Sequence, residues 1–234
     1  MRTPGDAPEE TTEVLLDITD SEAVAGLSFD RLDGLVDNAG IGISAPLEDL
    51  PLEELRRQLE VNVVGQLAVT QAVLPALRAA KGRIVIMGSI GGRSALPFLG
   101  GYAMTKHALE AMADSLRVEL APDGISVSIV EPGTIATAMW TKPQRALEDF
   151  PPELAERYGA RIEKFRRLAQ QRSSERGVPP LEVAKAVEHA LTAPTPRTRY
   201  IVGPDAKRRA RVQLLPDRWR DRVLTRFLFG ESAK

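Results

Sequence analysis

The chain has 234 residues, 43% hydrophobic and 27% charged, with a formal net charge of −1 and no cysteine. That size supports one substantial core or at most two small domains in a globular protein. The lack of cysteine excludes disulfides, thiolate catalysis and cysteine metal sites. With only His107 and His189 available, no metal centre is expected. The near-neutral balance gives no reason to expect nucleic acid as a partner.

The N-terminal MRTPGDAPEETTE is polar and unlike a secretory signal, and no uninterrupted apolar stretch approaches the roughly 18 residues of a membrane span. A cytoplasmic location is therefore expected. Residues 13–17 (EVLLD) predict a short strand that ends in a capped turn, with a short helix or turn over 21–27. LDGLVDNAG (32–40) predicts a buried strand running into a polar loop. From Pro51 to Ala80 the apolar spacing predicts one long helix.

GRIVIMGS (82–89) predicts an apolar strand with Ser89 at its C-terminal end, followed by a Gly/Ser-rich loop over 91–101. A helix is predicted from Tyr102 to Leu120 and a strand over ISVSIVEPG (125–133). Segment 138–180 has many charges and no strand signal, and predicts a helical insertion. An amphipathic helix over 181–191 and a strand at RYIVG (199–203) follow. Single strands alternating with helices imply parallel pairing in an α/β layered sheet.

Tyr102 and Lys106 stand four apart and share one helix face. An ammonium beside a phenol favours the phenolate, so Lys106 is expected to lower a pKa that otherwise lies near ~10. Tyr102 is then a candidate proton donor and acceptor. Ser89 lies thirteen residues upstream. Other readings apply to single residues: Asn62 as a polar side chain bonding a neighbouring backbone, Ser89 as a turn former, His107 as a helix-surface residue, and Met104 and Met112 as filler.

Taken in order, DNAG (37–40), NVVG (62–65), Ser89, Tyr102-x-x-x-Lys106 and PGTIAT (132–137) resemble the short-chain dehydrogenase/reductase family over nearly the whole chain. The resemblance implies a single Rossmann-like, doubly wound parallel sheet over 1–234, with 138–180 as a substrate flap and 204–234 as a tail. It implies Asn62, Ser89, Tyr102 and Lys106 as catalytic residues: Tyr102 the general acid/base, Lys106 its cationic neighbour and a ribose ligand, Ser89 an oxyanion donor, Asn62 the anchor of a water. It also implies an NAD(P) cofactor touching Asp17, Ile18, Asn38, Ala39, Gly40, Tyr102, Lys106, Pro132, Gly133, Ile135 and Thr137. Asp17 is at the same time a candidate helix cap. Asp37 stands where the family carries Asn. A homodimer or homotetramer is implied, with the helices bearing Asn62 and Tyr102 at the interface.

No glycine-rich phosphate loop precedes EVLLD, so the initial βαβ unit of such a fold is expected to lie upstream of an internal start. A genuinely short form, acting as a dimerisation or interaction module, is the alternative. Arg2, as a remnant of a basic 2′-phosphate position, tilts the expectation toward NADP. Met139, Trp140, Phe150, Leu154 and Tyr158 favour a lipophilic alcohol or carbonyl substrate. The tail residues Trp219, Val223, Leu224, Phe227 and Phe229 are expected to pack on the fold rather than on a membrane or partner.

Overall fold

A computed structural model of the chain describes residues 10–136 and 150–230. Four strands form one parallel sheet in the order β1 (Gly34–Asp37), β2 (Arg83–Met87), β3 (Ser126–Pro132) and β4 (Arg199–Val202). Leu35 stands opposite Ile84, Ile84 opposite Val127, and Val130 opposite Tyr200. Each of the first three strands is followed by a helical crossover to the next, which is what parallel neighbours require.

The period-two alternation of the strands sends side chains to two opposite layers. Ile84, Ile86, Val127 and Ile129 face α3 (Gly65–Ala80) and α4 (Gly100–Glu119), where they pack with Val73, Leu77, Leu109 and Ala113. Val85, Val130 and Tyr200 face α6 (Pro180–Thr192), packing with Ala190 and with Val183 and Val187. The sheet is thus covered on both sides, and the fold is the expected doubly wound α/β architecture.

The expected helix over 51–80 is realised in three pieces. α2 (Leu52–Leu59) runs into a π turn (Glu60–Val64) and then into α3. By length and composition Leu52–Ala80 could cross a bilayer, yet Val73 and Leu77 on it belong to the sheet's core. The short α1 (Ser21–Ala25) is capped by Asp20, whose carboxylate accepts from the Glu22 and Ala23 amides at 3.1 and 3.0 Å.

One expected strand is not formed. Residues 13–17 have no ladder partner among the described residues, and Val14 and Leu15 are exposed. A strand exists only through its neighbour's hydrogen bonds, and β1 and β2 lie elsewhere. The outer edge of β1 is likewise unpaired among the described residues.

A third cluster forms where α5 (Pro152–Arg176) and α8 (Asp217–Phe229) meet the loop after β2: Phe98, Phe150, Ile162, Phe165 and Leu228 are buried together. Phe98 meets Phe165 edge to face at 5.7 Å. α8 joins this core through Leu228, with Phe229 partly buried, as expected of the tail. Its other face departs from that expectation: Trp219, Val223 and Phe227 are exposed by 63%, 43% and 62%. The intervening α7 (Pro204–Val212) follows β4 directly.

Candidate active site

The site is built where β2 and β3 end and α4 begins. β2 delivers Ser89, whose hydroxyl oxygen accepts from the Gly91 amide at 3.0 Å and caps a single 3-10 turn, Ile90–Gly92. That turn lies directly on α4: a Cβ at Gly92 would sit 2.6 Å from the Lys106 carbonyl oxygen. Only glycine permits this approach. The turn also places the Ser89 hydroxyl where it favours ionisation of the Tyr102 phenol.

Lys106 is buried, 6% exposed, and its Nζ donates to the Met87 carbonyl at 2.8 Å. Burial depresses its pKa to about 8. The ammonium lies 5.7 Å from the Tyr102 ring centroid. Contrary to the sequence expectation, the phenol is pushed above its ordinary value, because burial outweighs the Ser89 hydrogen bond and the charge of Arg209 that favour the phenolate. Arg209 of α7 adds a charge that favours the phenolate, while Lys106 lies over the ring and donates its Nζ proton to the Met87 backbone.

Asn62 sits on the π turn, fully buried. Its amide nitrogen donates to the Ile41 carbonyl at 2.8 Å and to the Thr105 hydroxyl at 3.0 Å, and its oxygen accepts from the Ile41 amide at 2.8 Å. Asn62 therefore ties the loop after β1 to α4, one residue from Lys106, and π turns recur at such functional positions. In the same row Gln66 donates to the Ala39 carbonyl at 2.6 Å, and its Oε1 is buried without a partner among the described residues. Gly40 closes the group: a Cβ there would lie 3.3 Å from Asn62 Oδ1 and 3.9 Å from Lys106 Nζ.

Asp37 ends β1 and is 4% exposed, accepting from the Thr70 hydroxyl at 2.7 Å. Burial raises its carboxyl to about 7. Asp17 is instead exposed, bound to the Thr19 amide and hydroxyl at 3.0 and 2.8 Å, contacts that hold its pKa below the usual value. Ile18 packs its carbonyl where a Cβ on Gly65 would fall, which fixes the Asp17–Ile18 turn against α3.

After β3 the chain passes through Pro132, Gly133 and Ile135. The Gly133 amide donates to Val202 at 2.9 Å, Thr134 receives the Val178 amide at 3.0 Å, and the Ile135 carbonyl accepts from the Ser173 hydroxyl at 3.1 Å. Asp205 of α7 accepts from the Thr134 amide at 2.8 Å. Thr137, Met139 and Trp140 lie outside the described residues, as does Arg2. Asn38 lines an open groove of about 590 Å³ between α6 and the ends of β1 and β2, which touches the group around Lys106 only through Asn38 and Met87.

Sequence reasoning missed Thr105, Gln66, Asp205 and Arg209. Thr105 adjoins Lys106, and Gln66 follows Asn62 by one turn, so their spacing was a usable signal. Asp205 and Arg209 reach the site from the far end of the chain, and only the fold shows it.

Comparison with known proteins agrees with this arrangement. The short chain dehydrogenase family matches residues 10–148. Retinol dehydrogenase 16 of Homo sapiens is 38% identical over 220 residues, covering 87% of this chain and 69% of that protein. A short-chain dehydrogenase from Streptomyces avermitilis superposes with a TM-score of 0.72 at 32% identity, over 86% of this chain and 74% of the other. One from Burkholderia cenocepacia, solved in complex with NADP, gives 0.67 at 28% identity over 93% and 80%. The chain belongs to the short-chain dehydrogenase family, a family of oxidoreductases.

Proposed function

We propose that the chain interconverts an alcohol and a ketone or aldehyde using a nicotinamide dinucleotide. The observation that carries this reading is the single cluster formed by Ser89, Tyr102, Lys106 and the Asn62-held loop. The surroundings of Lys106 fit the nicotinamide-ribose end of the cofactor. Its buried Nζ has one acceptor among the described residues, Met87, which leaves donors for ribose hydroxyls beside the Cβ-free Gly40. Asn38, Ala39 and the loop at Pro132, Gly133 and Ile135 would flank it, with Asp17 and Ile18 at the adenine end. The NADP-bound Burkholderia relative supports the cofactor class; the sequence tilt toward NADP is kept as part of the proposal.

When bound, the cofactor supplies or accepts hydride at the reacting carbon. Tyr102 gives its phenolic proton to the substrate oxygen in reduction and takes one back in oxidation. Ser89 donates to the same oxygen as negative charge builds there, with its own orientation fixed by the Gly91 amide. Lys106 makes the pocket electropositive without touching the phenol, and Asn62 keeps the loop at Ile41 in register with α4. Leu154 and Tyr158, partly buried at the edge of the aromatic cluster, would meet an apolar substrate body. The exposed Val64 and Met104 on the two helices support self-association there.

Tyr102→Phe is expected to lower NADPH-dependent ketone reduction on the order of 10²- to 10⁴-fold while a fluorescence titration with NADPH is unchanged. Turnover at the parental rate would refute the assignment. The edge of β1, unpaired among the described residues, favours one other reading, an interaction module. It would be preferred if the chain self-associates in light scattering yet binds neither NADPH nor NADH.

A further inference from the structure

Asp205 and Arg209 lie one turn apart on the same face of α7. Each reaches a different wall of the site: Asp205 holds the Thr134 amide beyond β3, and Arg209 donates through Nη2 to the Ser94 carbonyl beyond the Ser89 turn. The Arg209 Nε is shut off from solvent and has no hydrogen-bond partner among the described residues. Asp205, already engaged by Thr134, and Tyr102 are the groups whose charge favours the guanidinium; Arg172 opposes it. A guanidinium withdrawn from water with a donor unused is costly unless something accepts from it.

We propose that Arg209 is a substrate subsite, receiving a carboxylate carried close to the reacting carbon of an otherwise apolar keto or hydroxy acid. A guanidinium presents its N–H groups as a planar fork suited to two carboxylate oxygens. The position answers a need of the site. Tyr102 and Ser89 handle the reacting oxygen, and the edge of the aromatic cluster meets the body, but neither fixes which end of the substrate enters first. A charge-assisted pair at Arg209 sets that direction. Burial lowers the Arg209 pKa only to about 10, so the cation persists at neutral pH.

The inference rests on the redox assignment above, and the test separates the two. The full chain is supplied with NADPH and assayed on 3-oxobutanoate and on its methyl ester, which differ at the carboxylate alone. The expected result is a preference for the acid whose acid-to-ester ratio of kcat/KM falls about 10- to 100-fold in Arg209→Met, beyond any loss that both substrates share through Tyr102, with partial rescue in Arg209→Lys. Acid and ester falling together would overturn the subsite and leave Arg209 a structural residue. So would an unchanged acid-to-ester ratio. Binding of 3-hydroxybutanoate by calorimetry needs no turnover: loss of binding in Arg209→Met with the melting temperature retained upholds the subsite even if redox activity fails. Equal binding to both proteins overturns it.

Discussion

Asp37 holds a carboxyl at the buried end of β1 with one donor, the Thr70 hydroxyl. Desolvation lifts its pKa from the ordinary 3.8 to about 7. Between those values the folded chain keeps a proton that the unfolded chain has released. Stability therefore declines as pH rises from about 4 to about 7, then levels off. The difference is worth about 2–4 kcal/mol at neutral pH. Asp37→Asn retains an acceptor for Thr70 and titrates nowhere. It should raise the urea midpoint at pH 7.5 and flatten the wild-type-minus-variant difference below about pH 4. A difference independent of pH would show that Asp37 is ionised in the fold. The replacement of Asn by Asp was visible in the sequence; its protonation was not, because it depends on how far the fold buries the end of β1.

Among the elements, the most exacting junction is the Ser89 turn on α4. Adding one methyl at Gly92 must push that turn away from the Lys106 backbone, and neither side is a flexible side chain. Misplacing catalytic groups by about 1 Å costs on the order of 10²-fold in rate. Gly92→Ala should therefore lose about 10- to 100-fold in kcat while circular dichroism stays native. Gly26→Ala, at the remote end of α1 where a Cβ would be 3.4 Å from the nearest backbone atom, should lose nothing. An unaffected Gly92→Ala would mean that the turn has slack. The strands β1 to β4 and the helices α4 and α6 were readable because each carries its own apolar period. The π turn was not, since Glu60–Val64 continues the helical pattern and differs only in a backbone hydrogen bond from Gly65 to Glu60. EVLLD has strand composition, but composition cannot supply a neighbour to pair with.

At the scale of the molecule, α7 and α8 hold a lopsided share of the charge. Residues 207–226 contain eight Lys or Arg and two Asp, in a chain whose formal net charge is −1. The remainder is accordingly near −7. This imbalance was legible in the sequence, whereas the enclosure of the Arg209 Nε, apart from its exposed neighbours Lys207 and Arg208, was not. Because the two helices are consecutive and carry the surplus together, the small net charge conceals a strongly basic stretch. Such a molecule presents itself to any charged matrix by orientation rather than by its total. At pH 7 and low salt it should be retained on a sulfonate column despite being formally anionic, and Arg218→Gln with Arg222→Gln should elute earlier in a salt gradient. Passage of the parent through the column unretained would show that the field averages out.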